Sequence, residues 1–210
     1  MLPATVVLLL GLGWIQGTVS TARLLVMTLV VVPLLTWPAL LALSIAAKWV
    51  LIGRYRRGEY ALWSGYYLRW WLVNRLSAYS GAGALAGTPL LPIYFRLMGA
   101  RVGPRCTLNT TQCAAWDLVS IGADSSIGAD TQLLGYRVEN GLLRIGRVDI
   151  GKRCFVGIHS ALGLDVRLGD DSALDDQSLL PDGHVIPPGE GRHGSPAQPA
   201  DVARPLTAVG

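Results

Sequence analysis

Seven aliphatic residues recur at every sixth position from Ile150 onward: Val156, Leu162, Leu168, Leu174, Leu180 and Ile186 complete the series. Glycine follows the first four at once (Gly151, Gly157, Gly163, Gly169), and Asp175, Pro181 and Pro187 take that place in the last three. Few folds accept a period of six. Helical spacing would carry Asp165, Asp170 and Asp171 into a core with the aliphatics, and glycine at this density would break the helix. A solenoid accepts it. Each hexad supplies a short parallel strand and a tight corner, three hexads make one triangular coil, and the aliphatic side chain points into a column where the next coil covers it. Glycine after the inward residue allows either close backbone approach or positive φ at the corner.

A second block keeps its own phase through Ile121-Gly122, Ile127-Gly128 and Leu133. Between the blocks, residues 134–144 leave the column, and Asn140-Gly141 inside them is a turn dipeptide, so a small projecting hairpin is expected. Insertions of this kind lie on one face of a solenoid and often build its binding site; a tolerated surface insertion is the alternative. Pro187-Pro188-Gly189 and Gly194-Ser195-Pro196-Ala197 stop strand propagation, leaving 198–210 as a disordered tail.

The N-terminal half has a different composition. Only 15% of the whole chain is charged and 51% is apolar, against roughly 25% charged in soluble domains. Residues 1–22 and 24–47 carry no charge, each long enough to cross a bilayer. Two spanning helices are expected, the second kinked by Pro33 and Pro38 but tolerated in a bundle. Lys48, Arg54, Arg56 and Arg57 follow directly and place the downstream chain in the cytoplasm by the positive-inside bias. Trp63 to Arg75 alternates amphipathic rings with arginine, the composition of an interfacial helix. Residues 76–95, rich in glycine and proline, read equally as a half-inserted segment or a packed connector. The division expected is 1–53 for two transmembrane helices, 54–101 for an interfacial helical connector, 102–197 for the solenoid and 198–210 for the tail. An opening this abruptly apolar also suits a piece of a longer protein.

Charge is split, with ten Lys/Arg against one acid in residues 1–116 and eight against thirteen in 117–210. The cations lie beside apolar runs rather than on a soluble face, so no nucleic-acid partner is expected. Cys106, Cys113 and Cys154 form no C-x-x-C pair and read as buried, inert thiols. His159, His184 and His193 lack the spacing of a zinc site, so no metal is expected.

With Asp117-Leu118-Val119-Ser120-Ile121-Gly122, Val148-Asp149-Ile150-Gly151 and Gly194-Ser195-Pro196-Ala197 in view, the second half resembles the left-handed parallel β-helix of hexapeptide-repeat acyltransferases. The whole chain resembles something narrower. Lys48-Trp49 through Tyr60, Tyr66-Tyr67-Leu68-Arg69-Trp70-Trp71 and Gly87-Thr88-Pro89-Leu90-Leu91-Pro92 are similar to the membrane-embedded C-terminal region of ε-poly-lysine-synthetase-type non-ribosomal peptide synthetases, over roughly residues 25–198. The resemblance implies N-terminal transmembrane α-helices plus an all-β left-handed parallel β-helix, integral to the cytoplasmic membrane with the column on the cytoplasmic side. It also implies an acyltransferase unit joining a carrier-bound aminoacyl group to an amine, acting within a larger assembly. Its donor would be a phosphopantetheine thioester, with acetyl-CoA as the donor of an alternative O- or N-acetyltransferase and no permanently bound cofactor. Its partners would be the lipid bilayer, carrier and adenylation domains, and other β-helical units in a homotrimer or pseudo-trimer. A third alternative is a non-catalytic scaffold that docks carrier domains.

The family's loop histidine is replaced here by Tyr136-Arg137, and no carrier-type Gly-Gly-x-Ser or phosphate-cradling Gly-x-x-x-x-Gly-Lys-Ser/Thr loop is present. The candidate catalytic residues are therefore His159 as general base, Tyr136 beside it and Asp117 as an acceptor-site acid. Arg137, Glu139 and Asn140 are candidates for substrate binding. The alternatives are an exposed polar residue on a coil face for His159, a corner aspartate accepting backbone N–H bonds for Asp117, and solvated loop charges for Arg137 and Glu139.

Overall fold

The computed structural model describes residues 26–199. A π-helical turn, Met27–Val31, leads into helix α1, Val32–Leu51. Pro33 falls just after the π-helical turn, where the regular hydrogen-bond ladder is already interrupted, and Pro38 is accommodated in the interior. Among the described residues one helix, Thr28–Leu51, is long and apolar enough to cross a membrane. Leu34, Leu35, Leu43 and Val50 are all exposed on it. The first span expected, residues 1–22, lies outside the described residues.

The other side of α1 is fastened to the rest of the chain by polar contacts. Trp37 Nε1 donates to the Gly81 carbonyl at 3.2 Å, the Ser44 hydroxyl meets the Tyr94 hydroxyl at 3.0 Å, and Trp49 Nε1 donates to the Leu97 carbonyl at 2.8 Å. Helix α2, Gly65–Tyr79, begins at Ser64, whose hydroxyl accepts from the Tyr67 N–H at 3.2 Å. It buries Trp70 and Val73 while leaving Leu68, Trp71 and Leu72 exposed. Left-handed backbone at Gly81 (φ 76°) and Gly87 (φ 72°) then breaks the chain around a short 3₁₀ turn, Ala82–Leu85, before helix α3, Leu90–Leu97. Across residues 76–95 two backbone reversals and two prolines leave no room for a continuous span.

The hexads form a parallel β-helix of three sheets. On one face β2 (Arg101–Val102), β4 (Val119–Ile121), β9 (Val148–Ile150), β12 (Val166–Leu168) and β15 (Val185–Ile186) stack in parallel. The second face includes β5 (Ser126–Ile127) and β10 (Phe155–Val156); the third is β6 (Gln132–Leu133), β11 (Ala161–Leu162) and β14 (Leu179–Leu180). All seven aliphatics of the repeat are at most 3% exposed, as are Ile121, Ile127 and Leu133. Ile150 pairs with Leu168, 18 residues on, whereas Ile121 pairs with Ile150, 29 on; the difference is the 11-residue insertion.

The corner chemistry departs from expectation in an informative way. The glycine after each inward aliphatic is there for close approach, not for positive φ: a Cβ on Gly157 would stand 2.4 Å from the Asp176 N, and one on Gly128 2.6 Å from the Ile158 N. Left-handed corners are filled instead by Arg105, Asp124, Asp130, Arg153, His159, Asp165, Asp171 and Gln177. Four aspartates staple successive coils, with Asp165, Asp170, Asp176 and Asp182 accepting the N–H of Arg147, Lys152, Ile158 and Leu164 at 2.8–3.0 Å. Buried hydroxyls and thiols do the same inside. Ser125, Thr131 and Ser160 donate to carbonyls of the next coil at 2.8–2.9 Å, and the thiols of Cys106 and Cys154 occupy the same slot, each 3.0 Å from a carbonyl. All three cysteines are free and buried.

The insertion is a hairpin, β7 (Tyr136–Glu139) and β8 (Leu142–Ile145), turning at Asn140 (φ 50°) and Gly141 (φ 76°). It does not stand alone. Strand β1, Gly58–Ala61, pairs antiparallel with β8, and Leu143 and Ile145 are buried. The expected tail begins later than position 198, since β17, Gln198–Pro199, pairs antiparallel with β16, Gly191–His193; residues 200–210 lie outside the described residues.

Candidate functional site

The sequence candidates fall into three separate places. Asp117 sits in a 3₁₀ turn, Trp116–Leu118, at the entry to β4. Its carboxylate is already occupied: Lys48 Nζ stands 2.9 Å from Oδ2 and donates to Oδ1 at 3.0 Å, and the Tyr55 N–H donates to Oδ2 at 2.9 Å. Lys48 has no exposed surface and lies 3.5 Å from the centroid of the Trp49 ring, so it is not one of the free cations that flank the apolar helix. Arg54 and Arg56 remain exposed, and Arg57 pairs with Asp165 at 2.9 Å. A side chain at Gly99 would collide with the Asp117 carboxylate, so this glycine keeps the pair's space open.

His159 occupies a left-handed corner (φ 52°) before β11, more than half exposed, with Nδ1 3.9 Å from Asp130. Tyr136 follows β6, the parallel neighbour of β11, so the two stand at opposite edges of one face. One chain does not bring them together. Arg137 pairs with Asp182 at 2.8 Å, Glu139 pairs with Arg144 at 3.0 Å, and Asn140 is the exposed hairpin turn.

What the structure does assemble is a cleft of about 420 Å³ between α2 and the first coil, walled by Asn74, Ser77, Gln112, Cys113, Trp116 and Tyr136. Tyr136 is positioned by Trp70, ring centroids 4.9 Å apart, and Trp70 Nε1 donates to the Ala114 carbonyl at 3.3 Å. Trp116 is held edge-on against Phe95 (4.8 Å) and Tyr94 (5.9 Å). Two donors of residues lining this cleft, the Trp116 indole N–H and the Ser77 hydroxyl, have no hydrogen-bond partner among the described residues. Burial pushes the Cys113 thiol up to about 12, with Asp117 acting in the same direction, so no thiolate forms there at neutral pH. Burial likewise raises the Tyr55 phenol, and its hydroxyl has no partner among the described residues.

Sequence reasoning missed Lys48, Ser77 and Trp116. The signal available was position: Trp116 is the one tryptophan outside the first 71 residues, and Asp117 beside it is the first acid after Glu59. Among the described residues no cluster of His, Cys, Asp or Glu side chains could hold a metal ion.

No family model matches the chain. It is 33% identical over 120 residues to the Delta-poly-L-ornithine synthetase of Acinetobacter baumannii, an alignment spanning 57% of this chain and 9% of that protein. The resemblance to poly-amino-acid synthetases read from the sequence is thus met by a relative of that type. Among solved structures, a hexapeptide-repeat acetyltransferase from Vibrio cholerae aligns over 80% of this chain and 93% of its own at 13% identity, TM-score 0.44. A maltose O-acetyltransferase from Clostridium difficile aligns over 57% and 81% at 14% identity, TM-score 0.46.

Proposed function

We propose that the chain is a membrane-anchored acyltransferase unit that joins a carrier-bound aminoacyl group to an amino-acid or peptide amine. The observation that carries this reading is the 33% identity to a poly-ornithine synthetase, on a chain whose second half is a parallel β-helix. The amine nitrogen attacks the thioester carbonyl, a C–N bond forms, the C–S bond breaks, and the pantetheine thiol leaves protonated. Backbone N–H groups of the coils are suited to the oxyanion, and a general base takes the amine proton. Because His159 and Tyr136 stand at opposite edges of a face, His159 as base needs an acceptor presented by a neighbouring column, which agrees with a trimer or tandem copies around one axis. Anchoring is supported by Thr28–Leu51 together with the exposed Trp63, Leu68 and Trp71 beside it, with the column on the cytoplasmic side.

A scaffold that docks carrier domains is the second reading, favoured by the intrachain ion pairs of Asp117, Arg137 and Glu139. Detergent-purified protein offered an aminoacyl-loaded carrier and acetyl-CoA side by side, each with an amine acceptor, separates the possibilities. Amide product from the carrier, lost 10²- to 10⁴-fold in His159→Ala, is expected for a general base. Product from acetyl-CoA alone moves the chain to the acetyltransferases, and product from neither leaves the scaffold.

A further inference from the structure

The cleft beside α2 contains two features that the architecture itself leaves unexplained. Among the described residues, the indole N–H of Trp116, a residue only 1% exposed, finds no acceptor, and neither does the hydroxyl of Ser77, which lines the same cleft. Buried donors are almost always paired, because desolvating one without a partner is costly. The Trp116 ring cannot turn away to find a partner: Phe95 and Tyr94 hold it edge-on, with interplanar angles of 79° and 88°. Its N–H therefore has a fixed direction.

The rest of the lining restricts what can accept from these donors. Thr111, Gln112, Gln132 and Asn74 supply hydroxyl and amide groups, and among the described residues no Asp, Glu, Lys, Arg or His lines the cleft. A phosphate, carboxylate or ammonium would enter without a counter-charge, which is expensive in a partly desolvated site. A neutral chain with carbonyl oxygens and amide N–H groups suits hydroxyl, amide and indole walls. The volume, about 420 Å³, lies in the usual range for small-molecule sites, roughly 300–1,000 Å³. By contrast, the wider open groove of about 930 Å³ on the first sheet is lined by Asp149, Arg167 and Asp170.

We propose that this cleft binds a neutral, amide-bearing ligand, the pantetheine arm of an acyl donor, whose carbonyl oxygens accept from the Trp116 indole N–H and the Ser77 hydroxyl. Naming the ligand as a pantetheine arm rests on the acyl-transfer reading above. The Cys113 thiol fits that occupant: it stays protonated beside the thioester, so it does not capture the acyl group. Tyr136 at the rim is then a positioning residue for the arm.

The test is calorimetric titration of the full chain in nanodiscs with S-acetylpantetheine, acetyl-CoA, inorganic phosphate and a free amino acid. S-acetylpantetheine and acetyl-CoA are expected to bind with similar affinity, since the nucleotide lies outside the cleft, and phosphate and the amino acid are expected not to bind there. Trp116→Phe keeps the ring and removes the donor, and should weaken S-acetylpantetheine about five- to tenfold, the worth of one hydrogen bond. Ser77→Ala, a small change on a half-buried helix position, should act in the same direction, and Arg167→Ala on the outer sheet face should have no effect. Thermal melting of each variant shows that it is folded. Absence of S-acetylpantetheine binding to the unmodified protein, unchanged affinity in both variants, or phosphate binding lost in both variants overturns the site. Amide formation that is indifferent to both variants overturns it while leaving acyl transfer standing. Binding that responds to both variants without transfer from any donor keeps the site and removes the reaction.

Discussion

The column and the helical half solve the problem of burial in opposite ways. In the column a residue's surroundings are set by its place within six: Leu168 lies between Ile150 and Ile186, and Ser160 reaches the Asp175 carbonyl because every coil repeats the previous one. In the helical half they are set by contacts across the sequence, as when Lys48 finds Asp117 69 residues away. Local repetition makes the column tolerant of polar change at its corners and intolerant inside. The helical half concentrates its vulnerability in a few unique contacts and leaves, among the described residues, an uncovered apolar surface on Leu34, Leu35 and Val50.

The sharpest way to break this contrast is inside the column. Leu168→Asp buries an unpaired carboxylate between two coils at a cost of several kcal/mol, and should abolish cooperative unfolding and protease resistance of residues 102–196. Survival of the fold would mean that the coils are not the stabilising unit. Next comes the unique pair: Asp117→Asn strands a fully buried ammonium and should cost about 3–5 kcal/mol in denaturant unfolding, whereas Lys48→Met with Asp117→Leu should recover most of that loss. Equal damage from single and double variants would show that the site needs charge rather than volume.

A smaller effect appears in alkali. The Cys113 thiol is raised from 9.0 to about 12 in the folded chain, so the native state favours the neutral form. Its contribution is complete below about pH 9 and is lost as pH rises towards 12, amounting to roughly 1 kcal/mol at pH 10. Cys113→Ala should flatten stability between pH 8 and 10, and the native thiol should resist iodoacetamide at pH 8. At the corners, Asp176→Ala removes the acceptor of the Ile158 N–H and should cost about 1 kcal/mol. Asp170→Asn keeps an oxygen facing the Lys152 N–H and should stay within about 0.5 kcal/mol. A larger loss there would mean that charge, not hydrogen bonding, staples the coils.

The period of six is enough, from sequence alone, to determine the column, its inward face and the length of the insertion, because each coil's neighbours are copies of itself and local pattern equals tertiary environment. The apolar run of α1 and the aromatic α2 are legible for the same reason: composition decides which solvent a whole face can meet. The corner conformations were not legible, since glycine's two uses, close approach and positive φ, look alike in sequence, and only the 2.4–2.6 Å approaches at Gly157 and Gly128 decide between them. Nor was the capture of the hairpin by β1, or the pairing of Lys48 with Asp117, because no periodicity relates those segments. The site candidates suffered most. Asp117, Arg137 and Glu139 were chosen for their chemistry, yet what a charged group can do depends on whether its partner is already within 3 Å, and the unpaired donors of Trp116 and Ser77 exist only where helix, coil and hairpin meet in three dimensions.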